Sequence, residues 1–429
     1  MTNYVNGTVA PGFESVRTLF ESNLSQSRDH NAQLCVYLGE ECVVDLCASV
    51  NSDENFSADS LVNVFSSGKS LESILLAMLA DRELLDFNAR VIDYWPEFQG
   101  SDENPDKRAM TVADVMRHEA GLAQLDHSFA PADLQAPALH ENAVGKVLEN
   151  HPLSYPEQDS PRQYHAITRG WIANEIFRRV EPNGRTMGEF LRQEVSGPLN
   201  ADVYIGLSDE ELTKVSPIKP RGFVAQLFDG LVPGTFAREV GLTYMEMLKR
   251  FWLFRSEIRI SRANARALPI NGLAELGVEV FDHPAVSKGE TPSAGAKCSA
   301  RGLAKLAAAM ANGGSIQGYT VLGSGGYEQL HANAIKRKML FLDSRFTQGG
   351  LAFFDETDAT KGRLDAGMSL GRGGFYGWMG YGGSVFQWHP DQRIGFAYVP
   401  TALNTLDFFN ERGKSYQREV ARCAAALAS

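Results

Sequence analysis

From Val64 the chain reads VFSSGKSLESILLAMLADRELL, with Leu71, Ile74, Leu75, Met78 and Leu79 three and four residues apart. That spacing draws one apolar stripe along a helix. A short apolar run, Val62-Asn63-Val64-Phe65, precedes it, so Ser66 falls where an extended segment turns into a helix. Phe13, Val16, Leu19, Phe20 and Leu24 make an earlier helical stripe. Residues 33–38 and 42–47 are strand-like runs around Gly39-Glu40-Glu41, which predicts a hairpin. Residues 90–98 predict a short helix stopped by Pro96. Thr111-Val112-Ala113-Asp114 and Thr186-Met187-Gly188-Glu189 have the form of capping boxes and open two more helices.

Residues 131–161 are rich in proline and predict a loop region with one short helix at 142–148. Trp171, Ile172, Ile176, Phe177 and Val180 mark a further helix. Residues 201–290 are mixed, with one helix at about 244–254. Tyr244, Met245, Met247, Phe251, Trp252 and Phe254 there suit either a pocket wall or a buried helix. A helix over 299–312 ends at Gly313-Gly314, residues 348–354 and 386–400 read as strands, and 412–427 forms a last helix. Strands at both ends with helices between them predict an α/β (α+β) fold. Residues 1–85 and 291–429 would build a domain around one sheet, and 86–290 a mainly helical domain that serves as a candidate lid or pocket wall.

Composition narrows the class. The 429 residues are 44% hydrophobic and 22% charged, ordinary values for a soluble globular chain, and the net charge of −11 argues against a nucleic-acid binder. The start MTNYVNGTVAPGF lacks the pattern of a secretory signal, and no apolar run approaches the ~18 residues of a membrane span. The five cysteines are odd in number and lack metal-ligand spacing, which suits reduced thiols in a cytoplasmic protein. The glycine cluster from Gly371 to Gly383 is not a nucleotide loop, because no G-x-G-x-x-G fits there between a strand and a helix and no Lys-Ser/Thr directly follows its glycines. The expectation is a cofactor-free and metal-free protein. Nothing in the chain speaks to its oligomeric state.

Ser66 and Lys69 are one helical turn apart, so hydroxyl and amine project from the same side. At a helix start, free N–H groups and the macrodipole favour a developing negative charge. This is the minimum equipment for an activated nucleophile. The same short pattern also suits a helix-capping serine and a solvated lysine, so the pair alone leaves both readings open.

Two distant elements tip the balance. Ser66-Ser67-Gly68-Lys69, Tyr164-His165-Ala166 and Trp378-Met379-Gly380 follow in order along the chain. They are flanked by Arg117-His118-Glu119-Ala120-Gly121-Leu122, Pro292-Ser293-Ala294-Gly295 and Gly382-Gly383-Ser384. Together they resemble the serine β-lactamase and penicillin-binding-protein-like hydrolases, above all the class C β-lactamases and related esterases. The resemblance spans nearly the whole chain. It implies an antiparallel sheet flanked by helices plus a largely helical domain, with the site between them.

By the same resemblance Ser66 would be the acylated nucleophile, and Lys69 and Tyr164 its acid–base partners. The backbone N–H groups of Ser66 and Tyr381 would form the oxyanion hole, and Trp378, Gly380 and Tyr381 would line the substrate pocket. Two departures matter. Trp378 stands where β-lactamases carry a lysine that helps hold the substrate carboxylate, and Ala166 stands where they usually carry asparagine. Both point from β-lactams toward a carboxylesterase acting on small or apolar acyl esters. A β-lactamase, a D-amino-acid peptidase or an acyltransferase would use the same nucleophile on an ester or amide. A non-catalytic binding or assembly protein of the same fold is the alternative of another class.

Overall fold

The computed structural model describes residues 4–27, 31–49, 53, 55–100, 105–155, 160–222, 270, 273–339, 342–357, 367–404, 407 and 409–428. The helix expected at 244–254 lies outside them.

Six antiparallel strands form the main sheet. They are β1 (Tyr4–Val9), β2 (Asn31–Leu38), β3 (Glu41–Ser49), β4 (Tyr376–Met379), β5 (Val385–His389) and β6 (Ile394–Pro400). Their spatial order is β1-β3-β2-β6-β5-β4, so the two ends of the chain meet where Phe396 pairs with Val36. The sheet is covered on both faces, which is why its central strands are apolar at nearly every position. Leu34 and Val36 join Phe396 and Tyr398 on one face. They pack against α1 (Glu14–Ser27) and the last helix, Glu411–Ala428, through Phe13, Phe20, Tyr416 and Val420. Cys35, Ala397 and Val399 point the other way, into the larger core around the helix Ala300–Ala311.

Two expectations change. Residues 386–400 are two strands with a turn at 390–393, whereas 348–354 carries only isolated bridges at Ala352 and Phe353. The edge strand β1 escapes the sequence pattern because YVNGTV has a polar middle and borders water on one edge.

On the larger-core side, α2 (Lys69–Asp81) runs beneath the sheet and is buried from Lys69 to Ala80. It packs on α3 (Thr168–Val180). Between them Glu72 and Arg169, both fully buried, form an ion pair with Nε–Oε2 at 2.9 Å. Gly170 permits this close approach, since a Cβ there would sit 2.6 Å from the Ser293 nitrogen and 2.8 Å from Glu72 Oε1. Among the described residues no helix is long and apolar enough to cross a membrane.

Candidate active site

Ser66 does not open the helix itself. It sits one step earlier, in the 3-10 turn Phe65–Gly68 that feeds α2. Phe65 is held at φ 47°, a left-handed conformation that a bulky side chain rarely adopts, so the turn at Ser66 is strained. The Phe65 ring is clamped edge-on by Phe281 at 5.6 Å and Tyr381 at 5.8 Å. Serines brace the turn from below: Ser67 Oγ lies 2.9 Å from Ser384 Oγ, which donates to the Val64 carbonyl at 2.7 Å. The end of β4 passes so close that a Cβ at Gly380 would overlap both Val64 O and Ser384 Oγ.

Ser66 Oγ is 2.5 Å from the Tyr164 hydroxyl. Lys69 Nζ donates to the carbonyls of Ala166, at 2.7 Å, and Ser293, at 3.0 Å, and lies 5.1 Å from the centre of the Tyr164 ring. Two donated hydrogens are all that a neutral amine has, which leaves its lone pair unspent. Burial holds the Lys69 amine well below the usual lysine value, with the Arg169 charge acting the same way and Glu72 against it. Burial also raises the Tyr164 phenol, opposed by its hydrogen bond to Ser66 and by Arg169. Both shifts favour the uncharged form, an amine for Lys69 and a phenol for Tyr164.

Some contributors carry no motif. Arg169 donates to the carbonyls of Lys69 at 2.9 Å and of Met116 and Gly350 at 3.1 Å, and its guanidinium lies 5.0 Å from the Trp378 ring centre. One side chain thus joins the helix carrying Lys69 to the strand carrying Trp378. The acidic Glu72 on the otherwise buried helix, one turn past Lys69, is its sign in the sequence. His118 is buried against Tyr164 at 5.1 Å and Trp378 at 5.3 Å and accepts the backbone N–H of His165 on Nδ1. It packs behind the site.

A cavity of about 340 Å³ opens beside Ser66. Phe65, Ile167, Val278 and Phe281 give it an apolar wall. Tyr164, Ala166, Gly380 and Tyr381 also line it, and Asn404, Asp407 and Asn410 form a polar end. Tyr381 stands at the mouth, 45% exposed. Trp378 is placed otherwise than the resemblance implied. It does not line this cavity, although its neighbour Met379 does. Its indole is 7% exposed, stacked on Phe346 at 5.0 Å, and its Nε1–H donates to the Gly350 carbonyl at 2.8 Å. On a strand, successive side chains face opposite ways, so the inward-facing residue goes into the aromatic cluster. His165 is likewise turned away, bonded to Leu122 N and Gln163 O, while the Ala166 carbonyl serves Lys69. Among the described residues no group of three or more His, Cys, Asp or Glu is placed to hold a metal ion.

Residues 16–419 match the family described as beta-lactamase. The chain is 28% identical over 406 residues to the esterase/beta-lactamase LipL of Mycobacterium tuberculosis, covering 93% of this chain and 83% of that protein. Its fold is similar to a penicillin-binding protein homolog from Caulobacter crescentus, with TM-score 0.73, 25% identity and coverage of 98% and 100% of the two chains. A family VIII carboxylesterase structure is similar at TM-score 0.74 and 24% identity, with the same coverage.

Proposed function

Because the chain belongs to the beta-lactamase family, we propose that this hydrolase is a carboxylesterase that cleaves neutral esters through a covalent acyl-enzyme on Ser66. The observation that carries the reading is the 2.5 Å contact between Ser66 Oγ and the Tyr164 hydroxyl, beside a lysine whose proton affinity burial lowers.

Ser66 Oγ attacks the ester carbonyl as its proton passes to Tyr164 and the Tyr164 proton passes to Lys69. The carbonyl oxygen becomes an oxyanion held by the backbone N–H groups of Ser66 and Tyr381. Tyr164 then protonates the leaving alkoxide and recovers its proton from Lys69, the ester C–O bond breaks, and the alcohol departs. In the second half, water attacks the acyl carbon and gives up its proton by the same route. Ser66 leaves reprotonated, and the acid is released.

The pocket supports an ester over a β-lactam. Among the described lining residues none is cationic, and Asp407 is an acid, so a substrate carboxylate finds no counter-charge there. Handing the acyl group to an alcohol in place of water would need no different residue.

The purified chain is expected to hydrolyse p-nitrophenyl esters of short acids, and a fluorophosphonate probe is expected to label Ser66, read by peptide mass spectrometry. No turnover together with no label at Ser66 would sink the proposal. Efficient penicillin or cephalosporin hydrolysis would reassign the enzyme to β-lactams.

A further inference from the structure

A second, smaller cavity of about 130 Å³ lies behind the first. Met339, Leu342, Phe346, Phe353, Phe354 and Met368 line it. Trp378 and Met379 also border it, and among the described residues Met379 is the one that lines both cavities. The Trp378 indole N–H is already spent on the Gly350 carbonyl, so Trp378 offers this cavity ring surface and no donor. A methionine wall is soft, having three rotatable bonds and an adaptable thioether. The buried Arg372 guanidinium contacts the Met379 sulfur. Asp343, Ser344, Arg345 and Ser369 also border the cavity, so its apolar surface comes from the methionines, Leu342 and the phenylalanines.

Its position selects one arm of the substrate. Tyr164 delivers the proton to the leaving oxygen, and its ring lies along Trp378 at 6.2 Å and 30°. The alcohol arm therefore departs on the side where Trp378 and Met379 stand. The Ser66 cavity has a separate apolar wall in Ile167, Val278 and Phe281, which is left for the acyl arm.

We propose that the cavity behind Met379 is a subsite for the alcohol arm of the ester, and that Met379 sets the length of apolar alcohol accepted. This rests on Ser66 being the acylated nucleophile. At roughly 30 Å³ per water-sized group, the cavity takes a chain of about four carbons. The substrate class is an ester of a neutral, extended apolar alcohol.

Two substrate series separate the arms: alkyl acetates from ethyl to hexyl, and p-nitrophenyl esters from acetate to hexanoate. For the unaltered chain, kcat/KM is expected to rise from ethyl to hexyl acetate. In Met379→Trp the hexyl-to-ethyl ratio is expected to fall at least tenfold, with a smaller change along the p-nitrophenyl series. Met368→Trp, which fills the cavity from its far wall, is expected to lower the same ratio, so the test survives if one variant fails to fold. An unchanged ratio in the folded variants, or a change confined to the acyl series, overturns the subsite. Fluorophosphonate labelling of Ser66 in the unaltered chain tells the two failures apart. A label with an unmoved ratio rejects the subsite alone, and no label rejects the nucleophile and the subsite with it.

Discussion

Burial acts on Lys69 and Tyr164 in opposite senses, lowering one affinity for protons and raising the other, and each shift favours the uncharged form. The base must be neutral to work, so activity is expected to fall as pH drops through the lowered Lys69 value and to hold up to the raised Tyr164 value. A pH profile of kcat/KM checks this. Optimal activity well below neutral pH would remove Lys69 as base. Tyr164→Phe keeps the ring that packs on Trp378 and His118 and removes only the hydroxyl. Turnover of p-nitrophenyl acetate is expected to drop by roughly 10²–10⁴ at unchanged Tm. In the sequence Ser66 and Lys69 alone suited a helix cap as well, and their order with Tyr164-His165-Ala166 and Trp378-Met379-Gly380 carried the resemblance that singled them out. The facing of Trp378 was not legible there, because strand alternation says that neighbours diverge and not which one faces the cavity.

At the scale of elements, α2 and α3 are joined by a charge pair in the core. Removing one partner of a buried pair leaves the other uncompensated, which typically costs ~3–5 kcal/mol. Arg169→Met is expected to lose about that much in urea denaturation. Arg169→Lys is expected to lose part of it, because one ammonium cannot reach Glu72 and three carbonyls together. A loss under about 1 kcal/mol for Arg169→Met would show that the pair does not hold the helices together. The helices themselves were readable from their apolar spacing. Their crossing was not, since it depends on Gly170 and on an acid and a base 97 residues apart.

Across the whole molecule, three histidines are built in as neutral rings. His165 donates from Nδ1 to the Gln163 carbonyl and accepts Leu122 N–H on Nε2. His331 donates from Nδ1 to the Tyr327 carbonyl and accepts the Trp388 indole N–H. His118 accepts His165 N–H. Burial lowers His165 and His331 to about 4 and puts His118 well below 6.5. The unfolded chain therefore binds more protons, and the stability these groups contribute above pH 6.5 is lost as pH falls toward 4. Glu290, raised by burial to about 7, has the opposite sign and offsets part of this above its ordinary value of 4.5. Between pH 6 and 4.5 stability is expected to fall with acid, and His331→Gln is expected to flatten the slope by up to about 1.4 kcal/mol per pH unit. Urea midpoints across that range give the slope. No difference between the two proteins would show that His331 is not held neutral.

Periodicity along the chain is enough for the helices with one apolar stripe, the β2–β3 hairpin and the sheet drawn from both ends, because each is a local pattern. Ser66, Lys69 and Tyr164 were singled out by the resemblance to a family, since the short Ser66–Lys69 pattern alone suits a helix cap as well. The packed fold was needed to show that burial lowers the Lys69 proton affinity, that Trp378 faces away from the Ser66 cavity, and that Met379 borders two cavities. These depend on contacts such as Ser66 with Tyr164, 98 residues away, and Lys69 with the Ser293 carbonyl, 224 residues away. Desolvation is a property of everything that surrounds a group, and a linear pattern records only its neighbours along the chain.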